Sequence, residues 1–153
     1  MLPKARSLYQ GDLLSNRDTR LFAWVGERDK SGVSMREHYR ERYYRATRQL
    51  ARLYDQEGRA DHAVVLYKEL LAMESTLEDV VQELYRCYAK LGDLGSLIQE
   101  DRRLRQALRE MYSDVDDSAA TPSEIQPETE TVALFHEIRE ELEAIFTGAK
   151  QMR

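Results

Sequence analysis

Residues 50–58 read LARLYDQEG and residues 84–92 read LYRCYAKLG, so leucine, tyrosine and glycine recur in one frame at an offset of 34 residues. Leu50 pairs with Leu84, Tyr54 with Tyr88 and Gly58 with Gly92. A period of this length marks a chain built from copies of one supersecondary unit, each too thin to bury its own apolar face. Stacking the copies hides that face, and the sequence period persists because the stacking contacts recur.

The local pattern says that the unit is a helical hairpin. From Met35 to Glu57, Tyr39, Tyr43, Ala46, Leu50 and Tyr54 fall three or four residues apart and share one helical face, with Arg42, Arg45, Arg48 and Arg52 expected on the other. Gly58 can take the left-handed conformation that ends a helix. A second helix, about 61–73, carries Ala63, Leu66, Tyr67, Leu70 and Leu71 on its apolar side. So short a connection forces the two helices to pack antiparallel. Ser75-x-x-Glu78 reads as a capping box opening a third helix with Val81, Leu84, Tyr85 and Tyr88 inward, and Gly92 closes it. Asp93 is placed to cap a fourth helix, to about Tyr112, with Leu97, Leu104, Leu108 and Met111 inward. In the second copy Leu97 and Asp101 stand where the first has Ala63 and Tyr67, so the repeat is degenerate.

The pattern predicts an all-α fold within a single domain over residues 1–153: short N-terminal helices over 1–34, a hairpin over 35–73 and a second over 76–112. An acidic loop over 113–126 follows, rich in small residues, and then a final helix over 127–147 that starts at Pro127, where a missing N–H costs nothing. Val132, Leu134, Phe135, Ile138, Leu142 and Ile145 give that helix an apolar stripe that must dock on the hairpins.

Charge is graded along the chain. Residues 1–52 hold 12 Lys/Arg against 6 Asp/Glu, whereas residues 114–153 hold 3 against 10, within a net charge of −5. The acidic total argues against non-specific nucleic-acid binding, and the gradient predicts contact between the basic beginning and the acidic end, within or between chains. The lone cysteine, Cys87, rules out an intrachain disulfide framework or thiolate metal cluster and reads as a buried, inert thiol. The start, MLPKARSLYQ, lacks the apolar core of a signal peptide and no apolar run reaches membrane-spanning length, which predicts a cytoplasmic protein. His38, His62 and His136 have no metal-ligand spacing, and no phosphate loop, nucleophile–base ordering or paired inward carboxylates are evident, so neither cofactor nor catalysis is expected.

One candidate partner-binding strip emerges. Ile98, Arg102, Arg105 and Arg109 share the side of the fourth helix opposite its apolar stripe, and arginine is favoured at interface hot spots. The competing reading is a solvated helix exterior. Tyr44 lies off the main tyrosine stripe and joins the candidates; the other tyrosines are expected in the hairpin core with their hydroxyls at the rim.

The order of landmarks also resembles a family. Tyr9-x-Gly11-Asp12-x-Leu14, Trp24, Leu50-Ala51, Gly58, Ala63, Gly92-Asp93, Pro127-Glu128-Thr129, Leu134-Phe135 and Ile138 follow one another as in the bacterial transcriptional activation domain of the Streptomyces antibiotic regulatory protein family. The resemblance spans about residues 5–142. It implies a tetratricopeptide-like right-handed array of stacked antiparallel hairpins with a docked C-terminal helix. It also implies a non-catalytic role in transcriptional activation, self-association or contact with other proteins. In that family a winged-helix DNA-binding domain usually comes first; none precedes Tyr9 here, so DNA recognition is not carried over, and the expectation is a fragment of a larger regulator or a stand-alone relative. The acidic loop is also longer than the family's usual link. The alternative function is a free-standing tetratricopeptide-like adaptor that binds peptides in its groove.

Overall fold

The computed structural model describes Arg28, residues 32–113 and residues 125–151. Five helices form among the described residues: α1 (Met35–Gln56), α2 (Ala60–Met73), α3 (Glu78–Leu91), α4 (Leu94–Ser113) and α5 (Thr129–Gln151). Among the described residues no strand forms, only an isolated bridge between Arg28 and Ser34. The fold is all-α. The expected short N-terminal helices, Trp24 and most of the acidic loop lie outside the described residues.

The helix ends follow from local chemistry, not always at the expected place. Ser34 opens α1 with a capping box: its hydroxyl accepts from the Glu37 amide at 3.1 Å, and the Glu37 carboxylate accepts from the Ser34 amide at 2.7 Å. The box expected at Ser75 and Glu78 does not form; Leu77 stands at the cap of α3 without a side-chain hydrogen bond. Glu78 instead accepts from the Glu128 amide at 2.8 Å, so its carboxylate serves the start of α5. That helix begins at Thr129 rather than Pro127, and Pro127 is buried just before it. Asp93 caps α4 as expected, accepting from the Ser96 amide at 2.9 Å.

The two glycine turns match in detail. Gly58 has φ 77° and Gly92 φ 66°. After α1, the Gly58 amide donates to the Asp55 carbonyl at 3.1 Å and the Arg59 amide to the Tyr54 carbonyl at 2.8 Å. After α3, the Gly92 amide donates to the Ala89 carbonyl at 3.2 Å and the Asp93 amide to the Tyr88 carbonyl at 3.0 Å. Both are six-to-one closures of a helix end by a left-handed residue, 34 positions apart.

Each helix packs on the next, and α5 packs on both α3 and α4. α2 runs antiparallel to α1, because Arg40 donates to the Met73 carbonyl while Tyr54 stacks near His62. Two reversals bring α3 parallel to α1. α5 also runs parallel to α3, with Glu78 meeting Glu128, Gln82 meeting Thr131 and Tyr85 meeting Phe135 in ascending order. The core centres on α2 and α3, where Leu66, Tyr67, Leu70, Leu71, Leu84, Tyr85 and Tyr88 are all buried. Ala63 and Leu97, equivalent positions in the two hairpins, are both fully covered.

Several stripe assignments shift. On α1 the buried positions are Thr47, Leu50 and Ala51, while Tyr39 is exposed, because the helix presents only its second half to the core. Met111 and Ile145 are exposed, since the ends of α4 and α5 run beyond the helices that cover their middles. On α5, Phe135, Ile138 and Leu142 form the buried stripe.

Candidate functional site

The polar feature that the fold assembles lies between α1 and α3. On α3, Asp79, Glu83, Arg86 and Lys90 recur every three or four residues and form one stripe. On α1, Arg48, Arg52 and Asp55 do the same, and Gln56 lies one turn after Arg52. Since the two helices run parallel, residues at equal heights are about one repeat apart in sequence. Arg48 pairs with Asp79 and donates to Glu83 at 3.0 Å; Arg52 donates to the same Glu83 through Nε at 2.9 Å. Farther along, Lys90 Nζ donates to both oxygens of Asp55, at 2.7 and 2.6 Å. Basic α1 residues meet acidic α3 residues at one end of this ladder, and the signs reverse at the other.

Burial makes one part of the ladder matter more than the rest. The side chains of Arg48 and Glu83 are 20% and 15% exposed, whereas those of Arg52, Asp79 and Lys90 are each more than half exposed. Desolvation pushes the Glu83 carboxyl upward, but hydrogen bonds from Arg48 and Arg52, with the Arg48 charge and the Tyr67 hydroxyl, outweigh it and hold it below its ordinary value. Desolvation likewise acts against the Arg48 charge, and Glu83 and Asp79 more than restore it. Cys87 sits beside the ladder with Sγ 3.7 Å from Asp55 Oδ1; burial, reinforced by that carboxylate, pushes its thiol up to about 12. The thiol is therefore a poor nucleophile at neutral pH.

Below the ladder a cleft of about 250 Å³ opens, lined by Arg52, Asp55, Gln56, Tyr67, Glu83 and Arg86. Tyr67 forms its floor from α2 and is almost fully buried. Burial, then the Glu83 charge, raises its phenol well above the ordinary range, so it stays a neutral hydrogen-bonding group.

The sequence candidates are scattered. Tyr44 is half-buried against the core, and its hydroxyl accepts from Arg48 at 3.2 Å, so it belongs to the ladder's edge. Ile98 packs partly against the core. Arg105 is held at 2.8 Å by Asp101, itself buried and accepting from the Tyr85 hydroxyl at 3.4 Å. Arg102 and Arg109 are exposed, without an ion pair among the described residues. The strip of four thus reduces to two free guanidinium groups flanking a structural one. Nor do the tyrosine hydroxyls all reach the rim: that of Tyr85 is internal, and that of Tyr88 is buried without a hydrogen-bond partner among the described residues.

Arg48 and Arg52 were expected, with Arg42 and Arg45, on the side of α1 opposite its apolar stripe and away from the core. The reason for the difference is that α3, not water, lies against that side of α1's second half. Within the described residues Arg48 and Arg52 of the basic α1 are paired by carboxylates of α3, in the middle of the chain. One sequence signal points to this: opposite charges recur near the repeat offset, Arg48 with Asp79 or Glu83 and Asp55 with Lys90. Among the described residues no cluster of His, Cys, Asp and Glu is arranged to hold a metal ion, and no helix is long and apolar enough to cross a membrane. The chain matches no family model, no curated protein and no solved structure.

Proposed function

We propose that this chain is a non-catalytic protein-interaction module of a bacterial transcriptional regulator, acting in the cytoplasm through contact with other proteins or with itself. In this reading it is a tetratricopeptide-like right-handed array of two hairpins capped by α5, and any DNA contact belongs to another domain. The observation that carries it is the recurrence of one glycine turn, hydrogen bond for hydrogen bond, at Gly58 and Gly92, because such recurrence is what stacked hairpins require. The landmark order that resembles the activation-domain family supports the regulatory part.

Among the described residues, Arg102 and Arg109 on the outer side of α4 are two cations without an ion pair. Reversing charge at Arg102 and Arg109 together is expected to leave the melting temperature within about 2 °C, as exposed unpaired side chains should. The same change is expected to weaken partner recovery or self-association about tenfold, as read by pull-down and sedimentation. Reversal at Arg105 is not equivalent, since it would set a carboxylate against buried Asp101 and destabilise the chain. A chain that sediments as a monomer at every concentration, and whose double variant recovers the same proteins as the parent, would sink the reading.

A stand-alone peptide-binding adaptor is the second reading. The observation favouring it is the α1–α3 cleft, which lies open beside a row of charged donors.

A further inference from the structure

The seam between α1 and α3 carries one cation more than its carboxylates neutralise. Arg48, Arg52 and Asp55 of α1 line it on one side and Asp79, Glu83, Arg86 and Lys90 of α3 on the other. Each carboxylate is already engaged: Asp79 by Arg48, Glu83 by Arg48 and Arg52, and Asp55 by Lys90 on both oxygens. Arg86 lines the cleft, is exposed, and has neither an ion pair nor a hydrogen bond among the described residues; the same holds for the Gln56 side chain opposite. The unmet capacity in the cleft is therefore chiefly that of N–H donors: a free guanidinium fork and an amide. Such a site is complementary to an anionic acceptor with two coplanar oxygens, which describes a carboxylate.

We propose that this cleft receives a glutamate or aspartate carboxylate from an acidic, extended segment of a partner protein, paired to Arg86, with Gln56 donating beside it. The identification of the partner as a protein rests on reading the chain as an interaction module. The cleft's volume of about 250 Å³ admits one side chain and not a folded body. The donors continue past it: Lys90 lies one helical turn beyond Arg86, a spacing of roughly 6 Å on the helix surface. Alternate side chains of an extended strand repeat at roughly 6.6 Å on one face, so successive acidic residues of such a segment meet Arg86 and then Lys90, which has a third N–H to offer. A free carboxylic acid can use only the first of these contacts, which makes a multiply charged segment the better fit. The resident carboxylates do not repel it strongly, because Lys90 and the two α1 arginines already balance them.

The test uses the full chain and a fluorescently labelled peptide with glutamate at alternate positions, its glutamine counterpart, and succinate as a free dicarboxylate. Anisotropy titration is expected to show binding of the glutamate peptide, at least about tenfold weaker binding of the glutamine peptide, and a loss on the order of tenfold in Arg86→Ala, as for a lost charge-assisted pair. Arg86→Lys should recover part of the loss, and Arg139→Ala, which removes an exposed cation on α5 away from the cleft, should bind as the parent does. Circular dichroism confirms that the variants fold, which the exposure of Arg86 leads one to expect. Equal affinity of Arg86→Ala, or no binding of the glutamate peptide, overturns the proposal. Competition by succinate as effective, mole for mole, as unlabelled peptide overturns the protein source and assigns the cleft to a free carboxylate. A peptide failure accompanied by normal partner recovery in the pull-down rejects the cleft alone; failure of both rejects the interaction-module reading with it.

Discussion

Helix α3 has two parallel neighbours, and it meets them with opposite chemistry. Towards α1 it presents Asp79, Glu83 and Lys90, and the seam is a ladder of ion pairs. Towards α5 it presents Tyr85, whose ring lies 5.9 Å from that of Phe135, with Gln82 donating to buried Thr131 at the seam's start. The same fourteen-residue helix thus joins one flank by burial and the other by charge. Apolar contact is strong and indifferent to register, whereas charge is weak in water but selective. Burial therefore fastens α5 to the second hairpin, and charge on the α1 side sets how one hairpin lies against the next.

The largest effect should come from the apolar flank. Phe135→Ala removes a ring that is 5% exposed and packed on Tyr85 and is expected to destabilise the chain by about 3–4 kcal/mol, measured by urea denaturation. A cost below about 1 kcal/mol would mean that α5 is not held by this contact.

The charged flank should cost less and answer to pH. Glu83→Gln keeps the shape but removes the charge that Arg48 and Arg52 share, at about 1.5 kcal/mol near neutrality. The folded Glu83 carboxyl lies below its ordinary value of 4.5, so its contribution is complete above that value and is lost as pH falls through the depressed folded one. The stability difference between parent and Glu83→Gln should therefore shrink as pH drops below 4.5, while that between parent and Phe135→Ala stays level. Parallel behaviour of the two variants down the acid range would erase the distinction between the flanks.

Gly58→Ala and Gly92→Ala probe what the two hairpins share. A Cβ at either position meets nothing within 4 Å, so the penalty is that of the left-handed backbone alone. Each substitution is expected to cost about 1 kcal/mol. The two should agree to within roughly 0.5 kcal/mol if the turns are equivalent, and thermal unfolding of both variants side by side decides it.

What the sequence disclosed tracks how local its cause is. The helices and both glycine turns are written in short-range periodicity, so α1 could be expected to start at Met35 and the turns to fall at Gly58 and Gly92. The α5 stripe was legible for Phe135, Ile138 and Leu142 because apolar spacing alone marks a buried face. Helix caps were half legible: Ser75 and Glu78 have the right spacing, yet α5 arrives from fifty residues away and takes the Glu78 carboxylate. The ladder was missed for a related reason. An arginine on a helix looks the same in sequence whether water or a carboxylate faces it, and which one does depends on the tertiary neighbour. The four residues of the α4 strip are not equivalent, because Asp101, the position equivalent to Tyr67, is buried and holds Arg105.

The smallest effect sharpens the comparison most, because it uses the same residue type on the same helix. Arg45 bonds Glu41 at 2.6 Å, one turn apart, with its side chain 77% exposed; Arg48, three residues later, is 20% exposed and faces α3. The glutamate stands on the N-terminal side of the arginine, the favourable order along a helix, yet water solvates both partners nearly as well when they are apart. Arg45→Ala should therefore cost no more than about 0.4 kcal/mol and lose even that in high salt. Arg48→Ala should cost several times more and resist salt, because it leaves Glu83 in a half-buried site with only Arg52 and the Tyr67 hydroxyl to answer it. Equal costs for the two, read by urea denaturation at low and high ionic strength, would mean that α3 adds nothing to the pairing beyond what a lone helix in water provides.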